Sequence, residues 1–156
     1  MMNRRELLQG TVGGTLGLFG LNMTAGAEEK AADSLAGGDA ALKKFLLEEC
    51  GMQYFHLGIP TKEDMKWDAY LENLKVHIQE YENDPFGIEW MKFEPGSPMP
   101  KIIQERPHVA FLVNDLDKAI KGMKLLVPVS IPRPGIKTCF IEHKGIGIEF
   151  VCRIPK

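Results

Sequence analysis

The chain of 156 residues has no apolar run of the roughly 18 residues that a membrane-spanning helix needs. It has no block of basic residues, and its formal net charge of −2 argues against nucleic acid as a partner. It has few cysteines. Cys50, Cys139 and Cys152 show no C-x-x-C spacing, which removes zinc knuckles and dithiol redox motifs. Cys139 and Cys152 sit in apolar, strand-like runs, so they are expected as small buried side chains, with a disulfide as the alternative in an exported protein. What remains is ordinary for a globular protein: 44% hydrophobic and 26% charged residues, enough for one domain or two small halves sharing a core.

The first residues do not read as part of that core. Arg4 and Arg5 precede a mildly apolar, Gly-rich segment and the small-residue triplet Ala25-Gly26-Ala27, the three-part layout of an export signal. The paired arginines followed by Leu7-Leu8 resemble a twin-arginine signal. The resemblance implies a periplasmic or otherwise exported protein, cut after Ala27 and with no stable membrane insertion afterwards. An ordinary secretory signal or an uncut anchor fits the same residues. Residues 28–48 are expected as a flexible lead-in, with a short helix around "ALKKFLLEE" at its end.

Beyond residue 49 the pattern repeats. "MQYFHLGI" is a strand ended by Pro60, and "TKEDMKWDAYLENL" opens with a Thr-x-x-Asp cap signal and predicts a helix. "KVHIQEY" and "GIEWMKFE" follow as strands around the turn "NDPFG". The second round starts at "HVAFLV", a strand, then "NDLDKAIKGM", a capped helix, and "LLVPVSIP", a strand broken by prolines. "KTCFIEHK" and "IGIEFVCR" form a hairpin turning at Lys144-Gly145. The modules cover about residues 49–98 and 106–156, an internal repeat within one domain, 49–156.

The repeat superimposes polar residues in apolar strands. His56 and His108 lie in the first strand of each half. Glu89 and Glu149 lie in the last, in "GIEW" and "GIEF". Strand alternation puts Val109, Phe111 and Val113 on one face and His108 with Ala110 on the other; Glu149 shares its face with Gly147, and Tyr54 and Gly58 flank His56. A lone strand histidine is commonly a hydrogen-bonded structural residue, and a lone glutamate a solvated one. Four of them placed twice in register are harder to dismiss. A buried carboxylate is costly without a partner, two together repel, and a divalent cation relieves both. The donor set suits zinc, iron(II), nickel, manganese or cobalt. His77 is open to a role in substrate contact or proton transfer as well as a structural one, and His143 is expected at the surface. Trp67, Trp90 and Phe93 are expected in core or pocket wall.

This arrangement resembles the vicinal oxygen chelate superfamily of glyoxalase I, bleomycin- and fosfomycin-resistance proteins, extradiol dioxygenases and methylmalonyl-CoA epimerase. The resemblance covers about residues 51–153 and is carried by "FHLGIP", "GIEWMKFEPGSPMP", "PHVAFLVNDLDKA" and "GIGIEFVC". It implies an α+β glyoxalase-like fold, two βαβββ modules forming an open curved mixed sheet around one metal held by His56, Glu89, His108 and Glu149. The first module departs from the pattern by looking a strand short or having a truncated helix. For function, the resemblance implies a metal-dependent lyase, isomerase or dioxygenase. Such an enzyme acts on a small oxygen-bearing substrate, with Glu149 or Glu89 as base and loops 60–74, 94–106 and 128–136 setting the substrate. A non-catalytic small-molecule binder of the bleomycin-resistance type, and a homodimer, are compatible with the same features.

Overall fold

The computed structural model describes residues 37–155. The signal expected over 1–27 therefore lies outside the described residues, as does the lead-in up to residue 36. The short helix expected at its end is present and starts at Gly38. Helix α1, Gly38–Glu48, places Phe45 and Leu46 in a core cluster with Cys50, Val113, Leu116 and Phe150. The expected boundary at residue 49 thus moves back to the start of α1, because an amphipathic helix with two buried side chains is part of the core it covers.

Eight strands follow: β1 (Gln53–Pro60), β2 (Ala69–Leu71), β3 (Val76–Gln79), β4 (Ile88–Phe93), β5 (His108–Leu112), β6 (Leu125–Arg133), β7 (Ile136–His143) and β8 (Ile146–Arg153). They form one mixed sheet in the order β2-β3-β4-β1-β5-β8-β7-β6, curled into a half-barrel. Each half has the same wiring. Its first strand lies parallel to its fourth, β1 with β4 and β5 with β8, and the two first strands pair antiparallel at the centre. Short helices complete the α+β architecture: α2 (Lys101–Glu105) between the halves and α3 (Leu116–Ala119) inside the second. Among the described residues no helix is long and apolar enough to cross a membrane.

Local chemistry explains most of these elements. The Asp115 side chain caps α3 by accepting from the Lys118 N–H at 3.0 Å, although the helix is shorter than the periodicity suggests. Lys144 and Gly145 both take positive φ, the backbone that a two-residue hairpin turn requires. Asp84 holds the "NDPFG" turn by accepting from the N–H groups of Phe86 and Ile88.

The helix expected over "TKEDMKWDAYLENL" is absent. The Thr61 N–H donates to the Met91 carbonyl and the Asp68 N–H to the Ile78 carbonyl, so the backbone is spent on strand contacts. The Thr61 side chain accepts from Glu63 and makes no capping box. The segment instead yields β2, so the first half has all four strands and lacks its helix. The outer face of the second half is covered by α1 and α3, where Cys50 and Cys139 are also buried. Burial pushes the Cys139 thiol up to about 12.

Replacing Phe45 with alanine is expected to cost about 3 to 5 kcal/mol of stability, the range for emptying a buried aromatic site. Urea unfolding of the variant measures it; a loss below about 1 kcal/mol would mean that α1 is not part of the folded core.

Candidate metal centre

The hydrogen-bonded register puts the four polar residues into two adjacent rows across the sheet. In one row Glu89 pairs with Gly58, Gly58 with His108, and His108 with Gly147. In the next row His56 pairs with Ala110, and Ala110 with Glu149. Each candidate ligand thus has glycine or alanine as a neighbour on at least one flanking strand, although Glu149 also pairs with Phe140 on β7. The need is steric: a Cβ on Gly58 would stand 2.0 Å from the His108 ring, and one on Gly147 would meet Ile103 at 2.3 Å.

All four side chains converge on the inner face, where His56, His108, Glu89 and Glu149 are buried. The two imidazoles lie 5.6 Å apart between ring centroids, on the same side of the sheet. His56, Glu89 and His108 each offer a ligand atom, and these lie within 4.8 Å of one another, a group able to hold a metal ion. Glu149 completes the set, with its Oε2 at 3.4 Å from the Nε2 of both histidines. Glu89 Oε2 is also 3.4 Å from His56 Nε2.

That distance is informative. It is long for a hydrogen bond, and both ring nitrogens of each histidine are buried with no hydrogen-bond partner. Donor atoms at bonds of about 2.1 Å around one ion, arranged as a tetrahedron, stand about 3.4 Å apart. The orphaned nitrogens and the N and O donor set thus fit a divalent metal. Burial pulls the His56 imidazole down, but Glu149 and Glu89 outweigh it and hold the group at about 9. Burial pushes the Glu149 carboxyl up, and the imidazoles of His108 and His56 outweigh that, so the net direction is downward.

The two carboxylates are not equivalent. The Thr138 hydroxyl donates to Glu149 Oε1 at 2.6 Å and fixes that carboxylate from β7. Register identifies the matching residue of the first half. Thr138 pairs with Val151, two residues past Glu149, and Ile78 pairs with Met91, two residues past Glu89. An isoleucine cannot donate. Glu89 has its ion-pair contact with His56, at 3.4 Å.

His56, Glu89 and Glu149 line an apolar cavity of about 90 Å³ whose walls include Leu74, Met91, Phe93, Met99, Ile103 and Phe140. The segments 60–74, 94–106 and 128–136 all contribute to it, through Leu71, Met99 and Arg133 among others. Other expectations shift. A register irregularity between Tyr54 and His56 breaks the alternation, so Tyr54 is 62% exposed and Phe55 lines the cavity beside His56. His77 faces away from the cup, its Nε2 2.9 Å from Glu94 Oε1 and its ring against Tyr70 and Trp67. Trp90 shares that outer side and donates to Asp84, leaving only Phe93 of the three aromatics as cavity wall. His143 is exposed. Thr138, Arg133 and Tyr81, which stacks on His56 with centroids 5.3 Å apart, carry no sequence signal that singles them out.

Comparison with known proteins found no match: no family model, no curated protein and no solved structure.

Thr138→Val is expected to weaken metal affinity by about 10- to 100-fold while leaving the fold intact, the usual effect of removing an outer partner of a ligand; competition against a chromogenic chelator reads it. The metal-free protein should also show a defined pH window. His56 is raised above its ordinary 6.5, so its contribution is full below that value and lost as pH rises through about 9. Glu149 is lowered below its ordinary 4.5, so its contribution is present above that value and lost as pH falls further. Thermal melts of chelator-treated protein should peak between about 4.5 and 6.5. Melting temperatures rising steadily from pH 6.5 to 9 would contradict the arrangement.

Proposed function

We propose that the chain is an exported, metal-dependent enzyme of the vicinal oxygen chelate type, an isomerase or lyase acting on a small carbonyl compound. The reading rests on one observation, the convergence of His56, Glu89, His108 and Glu149 at the junction of two similarly wired half-sheets, beside an apolar cavity. The internal repeat supports the two-module form of that fold, and Arg4-Arg5 with Ala25-Gly26-Ala27 supports export in a folded state.

His56, His108 and Glu149 would hold the ion, with Glu89 as the fourth residue. The ion supplies Lewis acidity to a substrate oxygen, stabilising negative charge that develops next to it. Thr138 keeps Glu149 oriented as a ligand through its 2.6 Å hydrogen bond. Glu89, with Ile78 in the place of such a donor, retains freedom to swing and is the better base. Its carboxylate takes the proton from the carbon beside the carbonyl and returns it to the product, while Glu149 stays in place. The apolar walls would exclude water from a substrate bound beside Glu89.

Two measurements test this. The full chain should carry near-stoichiometric metal that His108→Ala loses. The metal-loaded protein should exchange C–H protons beside the carbonyl of hydroxyacetone-type probes in deuterated water. Glu89→Gln should keep the metal and lose about 100-fold or more of the exchange rate, the usual weight of a positioned base. Metal absent from both proteins after reconstitution would move the cup to a ligand-binding role. Undiminished exchange in Glu89→Gln would remove Glu89 as the base.

A further inference from the structure

Arg133 ends β6 at the rim of the cup, and it is the only lysine or arginine among the described residues that line the cavity. Its guanidinium reaches across to the other half of the sheet and pairs with Glu80, just beyond β3. Nη1 donates to Oε1, and Nη2 donates to Oε2 at 3.2 Å. The pair is half-buried. An arginine has five N–H donors in a planar fork. Glu80 takes two, and the others have no acceptor among the described residues.

The position of this fork is unusual for a simple clamp. Arg133 lines the apolar cup on one side. On the other it lines a second, more polar cleft with Tyr81, Glu82 and Arg153. Phe55 and Ile136 also border both spaces, so a molecule reaching from the cup into the cleft would pass Arg133. Glu89 and Glu149 act on the guanidinium from the floor of the cup, with Glu80 nearest. Glu80 already neutralises Arg133, so what the residue offers a ligand in the cavity is the N–H groups that Glu80 leaves unused. Glu80 holds the fork in place and already shows the chemistry it accepts, a carboxylate in a forked geometry.

We propose that Arg133 is the specificity residue of the cup. The substrate is a carbonyl compound carrying a carboxylate, with its chelating oxygens at the metal centre and its carboxylate on the free side of the Arg133 fork. This rests on the reading of His56, Glu89, His108 and Glu149 as a metal centre that takes a substrate oxygen.

The probes are acetohydroxamate, which chelates metal and carries no charged tail, and a series of hydroxamates bearing a carboxylate on tails of increasing methylene length. Binding to the zinc-loaded full chain is measured by calorimetry. One tail length is expected to bind at least about tenfold tighter than acetohydroxamate, the weight of a charge-assisted hydrogen-bonded pair. That advantage should vanish in Arg133→Met and return in part in Arg133→Lys, with acetohydroxamate binding all three proteins alike. A clamp without a recognition role would weaken every hydroxamate together and leave their ratio unchanged. The proposal falls if the advantage persists in Arg133→Met, or if no tail confers one. Failure of the native, zinc-loaded protein to bind acetohydroxamate would instead remove the metal reading itself.

Discussion

Two carboxylates and two imidazoles share a small volume on the inner face of the sheet, and the rest of the structure depends on keeping them there without water. Burying a charge is expensive unless an opposite charge sits beside it, and like charges brought together add to the cost. The 3.4 Å spacing among the donors answers both terms, whether a proton or a cation lies between them. Neighbouring features follow from that requirement. Gly58 is small because the His108 ring occupies the space a side chain would fill, and Gly147 because Ile103 does. The central pair β1–β5 has to be antiparallel and in register for the two rows to face each other, so the seam between the halves is also the site.

How far this was legible in the sequence depends on how local the determinant is. The pairing of His56 with His108, and of Glu89 with Glu149, could be read because alternation puts titratable residues opposite an apolar face in four strands. A period of two leaves little freedom once one face is buried. The irregularity at Tyr54–His56 could not be read, since a bulge depends on the partner strand and has no fixed residue signature here. The segment from Thr61 to Leu74 carries Trp67, Tyr70, Leu71 and Leu74 at spacings that suit a helix as well as a strand ending in a loop. The choice was made by Met91 and Ile78, whose carbonyls accept from this segment across the sheet. Helix α1 was legible as a helix but not as core, because apart from Cys50 the buried residues it covers, such as Val113, Leu116 and Phe150, come from the distant second half. Arg133 sits in a stretch interrupted by prolines, where only the closed sheet shows that it reaches Glu80.

The two halves share their strand wiring but not their chemistry, and the second property matters more for the site. A fully symmetric pair of halves would present two interchangeable carboxylates, each equally committed to an ion or equally free. Thr138 breaks that equivalence on one side with a hydroxyl, and Ile78 leaves the other side without one. The same division recurs at the rim, where Arg133 comes from the second half and the carboxylate that holds it from the first. A ligand must stay where it is and a base must move, so one scaffold can supply both only if their surroundings differ. The replacement of a hydroxyl donor at Thr138 by an apolar side chain at Ile78 changes what restrains each carboxylate while leaving the strand pairing alike in the two halves, and on the proposed function it is this difference that would separate a ligand from a base.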